Sequence, residues 1–126
     1  DVIGPIRATL YVRSSLAHTD FIARLCDVSP KGISYNLCDG LFHLTPGKGT
    51  PHPNGTRKIE IDLWATANRF KKGHCIRLQI ASASVPRWAL TPGEGPSPTS
   101  PSLPADQEIY HDENHPSLIM LPVINP

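Results

Sequence analysis

"PIRATLYVR", residues 5–13, places Ile6, Ala8, Leu10 and Val12 on one side of the chain and Arg7, Thr9, Tyr11 and Arg13 on the other. A period of two is that of a strand with one buried and one wet face, because successive side chains point to opposite faces of a sheet. The alternation recurs in "RKIEIDLWA" (57–65), where Ile59, Ile61 and Leu63 oppose Lys58, Glu60 and Asp62, and in "HCIRLQIAS" (74–82), where Ile76, Leu78 and Ile80 are the expected core side. "TDFIARLCDV" (19–28) sets Phe21, Ala23 and Leu25 on one face, "SPKG" (29–32) reverses the chain, and "ISYNL" (33–37) returns with Ile33, Tyr35 and Leu37, predicting a hairpin over 20–37. "CDGLFHL" (38–44) reads as an Asp-Gly turn into a short strand, "TPGKGTPHPNGT" (45–56) as a connecting loop with a turn at Asn54, and "TANRFKKG" (66–73) as the excursion joining two sheets. "QEIYH" (107–111) and "SLIMLPVI" (117–124) supply two last strands. Seven or eight short strands with turn signals between them and no helical period predict an all-β sandwich of jelly-roll type.

The chain has 126 residues, enough for one domain (1–126) with a conventional core. Its net charge of +1, with the basic residues scattered, excludes the electrostatic footprint of a nucleic-acid binder or of a protein held on an anionic membrane. No apolar run approaches the roughly 18 to 20 residues needed to cross a bilayer, and "DVIGPIRATLYV" lacks the order of a signal peptide. Cys26, Cys38 and Cys75 are odd in number and form no CxxC pair, so free thiols in a reducing, cytoplasmic setting are expected. Pairing about the 29–32 turn sets Cys26 opposite Tyr35 or Asn36, out of register with Cys38. Five of the fourteen prolines (Pro92, Pro96, Pro98, Pro101 and Pro104) mark a long loop at about 91–105.

The candidates for chemistry are few. No G-x-S-x-G elbow exposes a serine nucleophile; Ser82 and Ser84 alternate with Ala81 and Ala83 and read as edge or solvent groups. "HDENH" (111–115) spaces two histidines four apart, but metal ligation of that kind needs a helix, and Pro116 and Asn114 favour a turn held by Asp and Asn side chains. His74 and Cys75 are neighbours in a strand, so they face opposite ways, and Cys75 is expected to pack. Trp64, at a strand end, is expected to cap the core. With Trp88 it also invites a sugar-stacking reading, which would require Asn68, Arg69 or Arg87 to converge beside an aromatic face. No catalytic residue, metal ligand or cofactor site is assigned.

Three ordered stretches, "IGPIRATLYVRSSLAHTDFIARLCDVSPKGISYNLCDG" (3–40), "IEIDLWATANRFKKGHCIRLQIASASVPRW" (59–88) and "IYHDENHPSLIMLPVI" (109–124), resemble the C-terminal domain of X-Pro dipeptidyl-peptidases and of cocaine-esterase-like acyl hydrolases. The resemblance implies a jelly-roll sandwich of the galactose-binding-domain-like kind. It also implies a non-catalytic accessory role beside an α/β-hydrolase domain that carries the serine, aspartate and histidine, none of which lies in the matched segments. The parent activity it implies is dipeptidyl-peptidase or ester hydrolysis, with that hydrolase domain as partner and self-association as an added expectation. "SVPRWALTPGEG" (84–95) and "ANRF" (67–70) depart from the family's usual Phe-Pro-Arg turn and Ser-His pair. Pro86, Arg87, Trp88 and Leu90 are the candidate interdomain contacts, and a carbohydrate-binding module is the alternative function.

Overall fold

The structure is a computed structural model that describes residues 1–82 and 105–125. Its strands are β1 (Val2–Ser14), β2 (Thr19–Val28), β3 (Ser34–Leu44), β4 (Thr50–Pro51), β5 (Arg57–Asn68), β6 (Cys75–Ala81), β7 (Gln107–Tyr110) and β8 (Leu118–Met120). A 3-10 turn, Pro53–Gly55, holds Asn54 in the left-handed conformation at φ 66°. No helix among the described residues is long and apolar enough to cross a membrane.

The strands form two antiparallel sheets. In the larger one β4, β5 and β1 lie side by side, and β7 and β8 share the far edge of β1, β7 beside residues 11–14 and β8 beside residues 7–9. The smaller sheet has the order β3, β2, β6. Ile6, Ala8, Leu10 and Val12 of β1, Ile59, Ile61 and Leu63 of β5, and Phe21, Ala23 and Leu25 of β2 form one buried cluster between the sheets, completed by Val2 and Leu44. Each Val, Leu, Ile or Phe side chain so withdrawn from water is worth about 1.5–3 kcal/mol before chain entropy is counted. The all-β sandwich expected from the alternation is therefore the fold observed, and its core is the set of inward positions of β1, β2 and β5.

Several boundaries differ from expectation, each for a physical reason. β3 does not turn at Asp39-Gly40 but continues to Leu44, paired with β2 from Val28↔Ser34 to Thr19↔Leu44. Gly40 serves a close approach instead: a Cβ there would lie 2.1 Å from the carbonyl oxygen of Asp62, where β3 meets β5 and the two sheets touch. Within the hairpin Cys26 stands opposite Asn36, as the turn geometry requires, and its thiol donates to Asn36 Oδ1 at 3.4 Å. Leu37 is the extra residue at the register shift between the Leu25 and Cys26 pairs. β5 runs on to Asn68, because β1 begins at Val2 and pairs with it there, so the crossing between sheets is shortened to 69–74.

Three expected core positions are on the outside. Tyr35 and Ile76 flank Asp27 in the last inward row of the smaller sheet, and they and Ile33 are about half exposed. At that end Asp27 reaches across to polar partners, and no apolar layer closes over the edge strands. Cys75 is exposed as well, since β6 is an edge strand and begins there.

Candidate functional site

Asp27 ties three elements together at one end of the sandwich. Its Oδ1 lies 2.7 Å from His74 Nδ1 at the start of β6, and its Oδ2 accepts from Asn68 Nδ2 at the end of β5 at 3.1 Å. The Asn68 bond, then the His74 bond, hold the Asp27 carboxyl below its ordinary range. A histidine anchored at Nδ1 by a carboxylate is how hydrolases orient a general base, but among the described residues no hydroxyl or thiol is hydrogen-bonded to His74. The group acts as a brace between sheets. Its sign with pH follows from the depressed carboxyl: its contribution is complete above the unfolded carboxylate's pKa of about 4 and is lost as pH falls through the lower folded value. In acid titrations followed by circular dichroism, Asp27→Asn is expected to flatten the loss of stability below about pH 4; an unchanged acid limb would mean that other carboxylates carry it.

The "HDENH" segment is a turn, with Asp112 Oδ1 taking the backbone N–H of Asn114 at 2.9 Å and lying 2.8 Å from His115 Nδ1. The His115 bond is the main cause of the lowered Asp112 pKa. His115 stacks in a small ring cluster with Tyr110, Tyr11 and His52, the His52–His115 centroids 5.1 Å apart. Among the described residues no three His, Cys, Asp or Glu side chains are placed to hold a metal ion. Ser82 accepts from Gln107 Nε2 at 3.2 Å, an edge contact between β6 and β7. Ser84 lies outside the described residues.

An open concavity that engages an unusual residue lies between β3 and β5. Asn36, Leu37, Cys38, Asp39, Leu63 and Trp64 line a pocket of about 360 Å³. Opposite Ile6, β5 carries two residues, Leu63 and Trp64, between the Arg7↔Asp62 and Pro5↔Ala65 pairs. Leu63 keeps the core position, and Trp64 takes the strain, with φ at 68° and its N–H bonded to Asp62 Oδ1 at 2.8 Å. Left-handed backbone costs a non-glycine residue about 1–2 kcal/mol. Trp64 is 70% exposed and does not cap the core. Cys38, in the same pocket, has its pKa pushed up to about 11, chiefly by burial and then by the Asp39 charge, so it is a neutral thiol and not a nucleophile.

A second unusual surface is the outward face of the larger sheet. Register sets Ile3 beside Ala67, Pro5 beside Ala65, Arg7 between Met120 and Asp62, and Thr9 between Leu118 and Glu60. Met120 is 65% and Ile3 47% exposed. Asn68 and Arg69 line a pocket with Asp1, Ile3 and Ala67, Asn68 bonded to Asp27 and Arg69 to Asp1 at 2.8 Å, whereas Trp64 lines a different pocket, so among the described residues these polar groups do not converge beside an aromatic face. Pro86, Arg87, Trp88 and Leu90 lie outside the described residues.

Residues 1–120 match the family described as the X-Pro dipeptidyl-peptidase C-terminal non-catalytic domain. The chain belongs to that family. It is 33% identical over 133 residues to the "Cocaine esterase" of Rhodococcus sp. (strain MB1 Bresler), covering 98% of this chain and 23% of that protein. It is 27% identical over 148 residues to a "Putative serine esterase" of Mycobacterium bovis, covering all of this chain and 22% of that protein. The chain thus spans less than a quarter of the length of these relatives. As a member of a family described as non-catalytic it has no need of a nucleophile elbow.

Two features of the described residues have little signal in the sequence. Trp64 was visible as an aromatic, but its outward, left-handed setting follows from a bulge, for which the signal is the Leu-Trp pair breaking an alternation that would otherwise run to Ala65. The Asp27–His74 contact joins residues 47 apart and has no local signature.

Proposed function

We propose that this domain is the accessory C-terminal module of a larger serine hydrolase and packs against its α/β-hydrolase domain, where the nucleophile, base and acid reside. The observation that carries this reading is coverage: relatives named as esterases match essentially the whole chain with less than a quarter of their own length. The jelly-roll sandwich is of the galactose-binding-like kind in this reading. The parent's reaction is acyl transfer to water, on an ester or on an X-Pro peptide bond, and the domain's part is to support and shape the catalytic domain. Pro86, Arg87, Trp88 and Leu90 remain proposed contacts to it.

The test is an assay of two proteins, the 126-residue chain and the full-length protein containing it, on a short-chain acyl ester and an X-Pro chromogenic dipeptide. The full-length protein is expected to turn over one of them, with sensitivity to a serine-directed inhibitor, and the chain neither. Inhibitor-sensitive turnover by the chain alone would overturn the accessory role.

A further inference from the structure

The two sheets treat their outward faces differently. On the central strand of the smaller sheet the outward residues Ile22 and Cys26 are only 2% and 0% exposed, although they lie opposite the core positions Phe21, Ala23 and Leu25. On the edge strand β6 of the same sheet the outward residues Cys75, Arg77, Gln79 and Ala81 are exposed and are small or polar. The outward face of the larger sheet is apolar at the end that carries Ile3. Ile3 beside Ala67 and Pro5 beside Ala65 form adjacent apolar rows, Met120 continues them across Arg7, and all five of these apolar residues are exposed. Cross-strand neighbours on one face lie within contact distance, so these residues make a continuous patch and not a scatter. Such patches mark surfaces made to be covered.

The charges of the patch are opposed within it. Arg7 stands in register beside Asp62, and at the rim Arg69 is paired with Asp1. An occupant of this face is consequently apolar and near neutral at its centre. Trp64, next in sequence to Ala65 of the patch, is 70% exposed in a left-handed conformation and lines the flank pocket with Asn36 to Asp39 of β3. Exposed aromatics that become buried on association are among the residues that most often dominate interfaces.

We propose that this end of the larger sheet's outward face, centred on Ile3, Pro5, Ala65, Ala67 and Met120 with Trp64 at its margin, is the surface that docks on the hydrolase portion of the parent chain. It rests on the accessory-domain reading above and adds the face. The hydrolase portion is the occupant because more than three quarters of each relative's length lies outside the region matched to this chain, and an apolar face that stays bare in the isolated domain needs a partner present at fixed, high local concentration.

The experiment uses the full-length protein, with thermal unfolding followed by calorimetry and size by light scattering. The wild type is expected to melt in one coupled transition. The Ile3→Glu, Met120→Glu double variant is expected to split it, with the C-terminal domain melting several degrees earlier, whereas Ile33→Glu, at an exposed apolar site in the turn before β3, leaves it whole. Trp64→Gly relieves backbone strain and so does not threaten folding; it too is expected to weaken the coupling. Two independent transitions in the wild type would overturn the packing reading itself. A coupled wild type that is split by Trp88→Glu and not by the Ile3, Met120 or Trp64 changes would leave packing intact and overturn this face. Conversion of a dimer into monomers by Met120→Glu, with coupling unchanged, would assign the face to a second copy and also overturn the proposal.

Discussion

Gly40→Ala is expected to cost about 3 kcal/mol or more, the upper range for forcing atoms into a closed core. The added Cβ would lie 2.1 Å from the carbonyl oxygen of Asp62, 2.8 Å from its carbonyl carbon and 3.0 Å from Ile61 Cγ2. The first two are backbone atoms of β5, held in the ladder with β1 through the Arg7↔Asp62 and Ala8↔Ile61 pairs. No rotamer change can clear the clash; one sheet must move relative to the other, and the Ile61 and Leu63 packing moves with it. Urea unfolding of Gly40→Ala beside the wild type reads the loss directly. A change under 1 kcal/mol would mean that the seam between β3 and β5 is looser than the distances imply.

The same glycine shows where sequence reading runs out. "CDG" has the composition of a turn, and turn chemistry is local, so Asp-Gly was read as a reversal. The reason for glycine at this position is a strand 22 residues further along the chain, which no local pattern carries. Alternation, by contrast, is written into every strand that buries one face, and β1 and β5 were legible residue by residue because their inward and outward positions differ in polarity. β2 was legible on its inward side only. Its outward residues are buried too, which the alternating template does not anticipate.

Surface function was less legible than core. An exposed apolar residue has no meaning in isolation, because much of any folded surface is apolar; Ile3, Ala65 and Met120 become a patch only when register brings residues from both ends of the chain side by side. Expectation placed Ile76 in the core on the same alternation that correctly placed Ile59 and Ile61. The difference is position along the strand: Ile76 lies at one end of β6 beside Asp27, whereas Ile59 and Ile61 lie within the long β1–β5 ladder in the buried cluster. The family resemblance was legible for a different reason: it draws on the order of three segments along the whole chain, and the match over residues 1–120 has that extent.

Phe21→Ala is the second large effect, an expected loss of about 3–5 kcal/mol. Phe21 is 1% exposed, lies near the start of β2 and pairs with Phe42 across the ladder with β3. Its ring occupies the layer where Leu44 of β3 and the β1 and β5 side chains meet, so its removal leaves a void that two paired sheets cannot collapse to fill. For a domain of this size the midpoint of thermal unfolding should fall by about 10–20 °C. The informative control is Met120→Ala, which removes a similarly large apolar side chain from the exposed face of the larger sheet. In the 126-residue chain it is expected to change stability by less than about 0.5 kcal/mol, as surface substitutions do, while in the full-length protein the same change should weaken the coupling between domains. A Met120→Ala chain as destabilised as Phe21→Ala would place Met120 in the domain's own core and remove the apolar face from consideration as a docking surface.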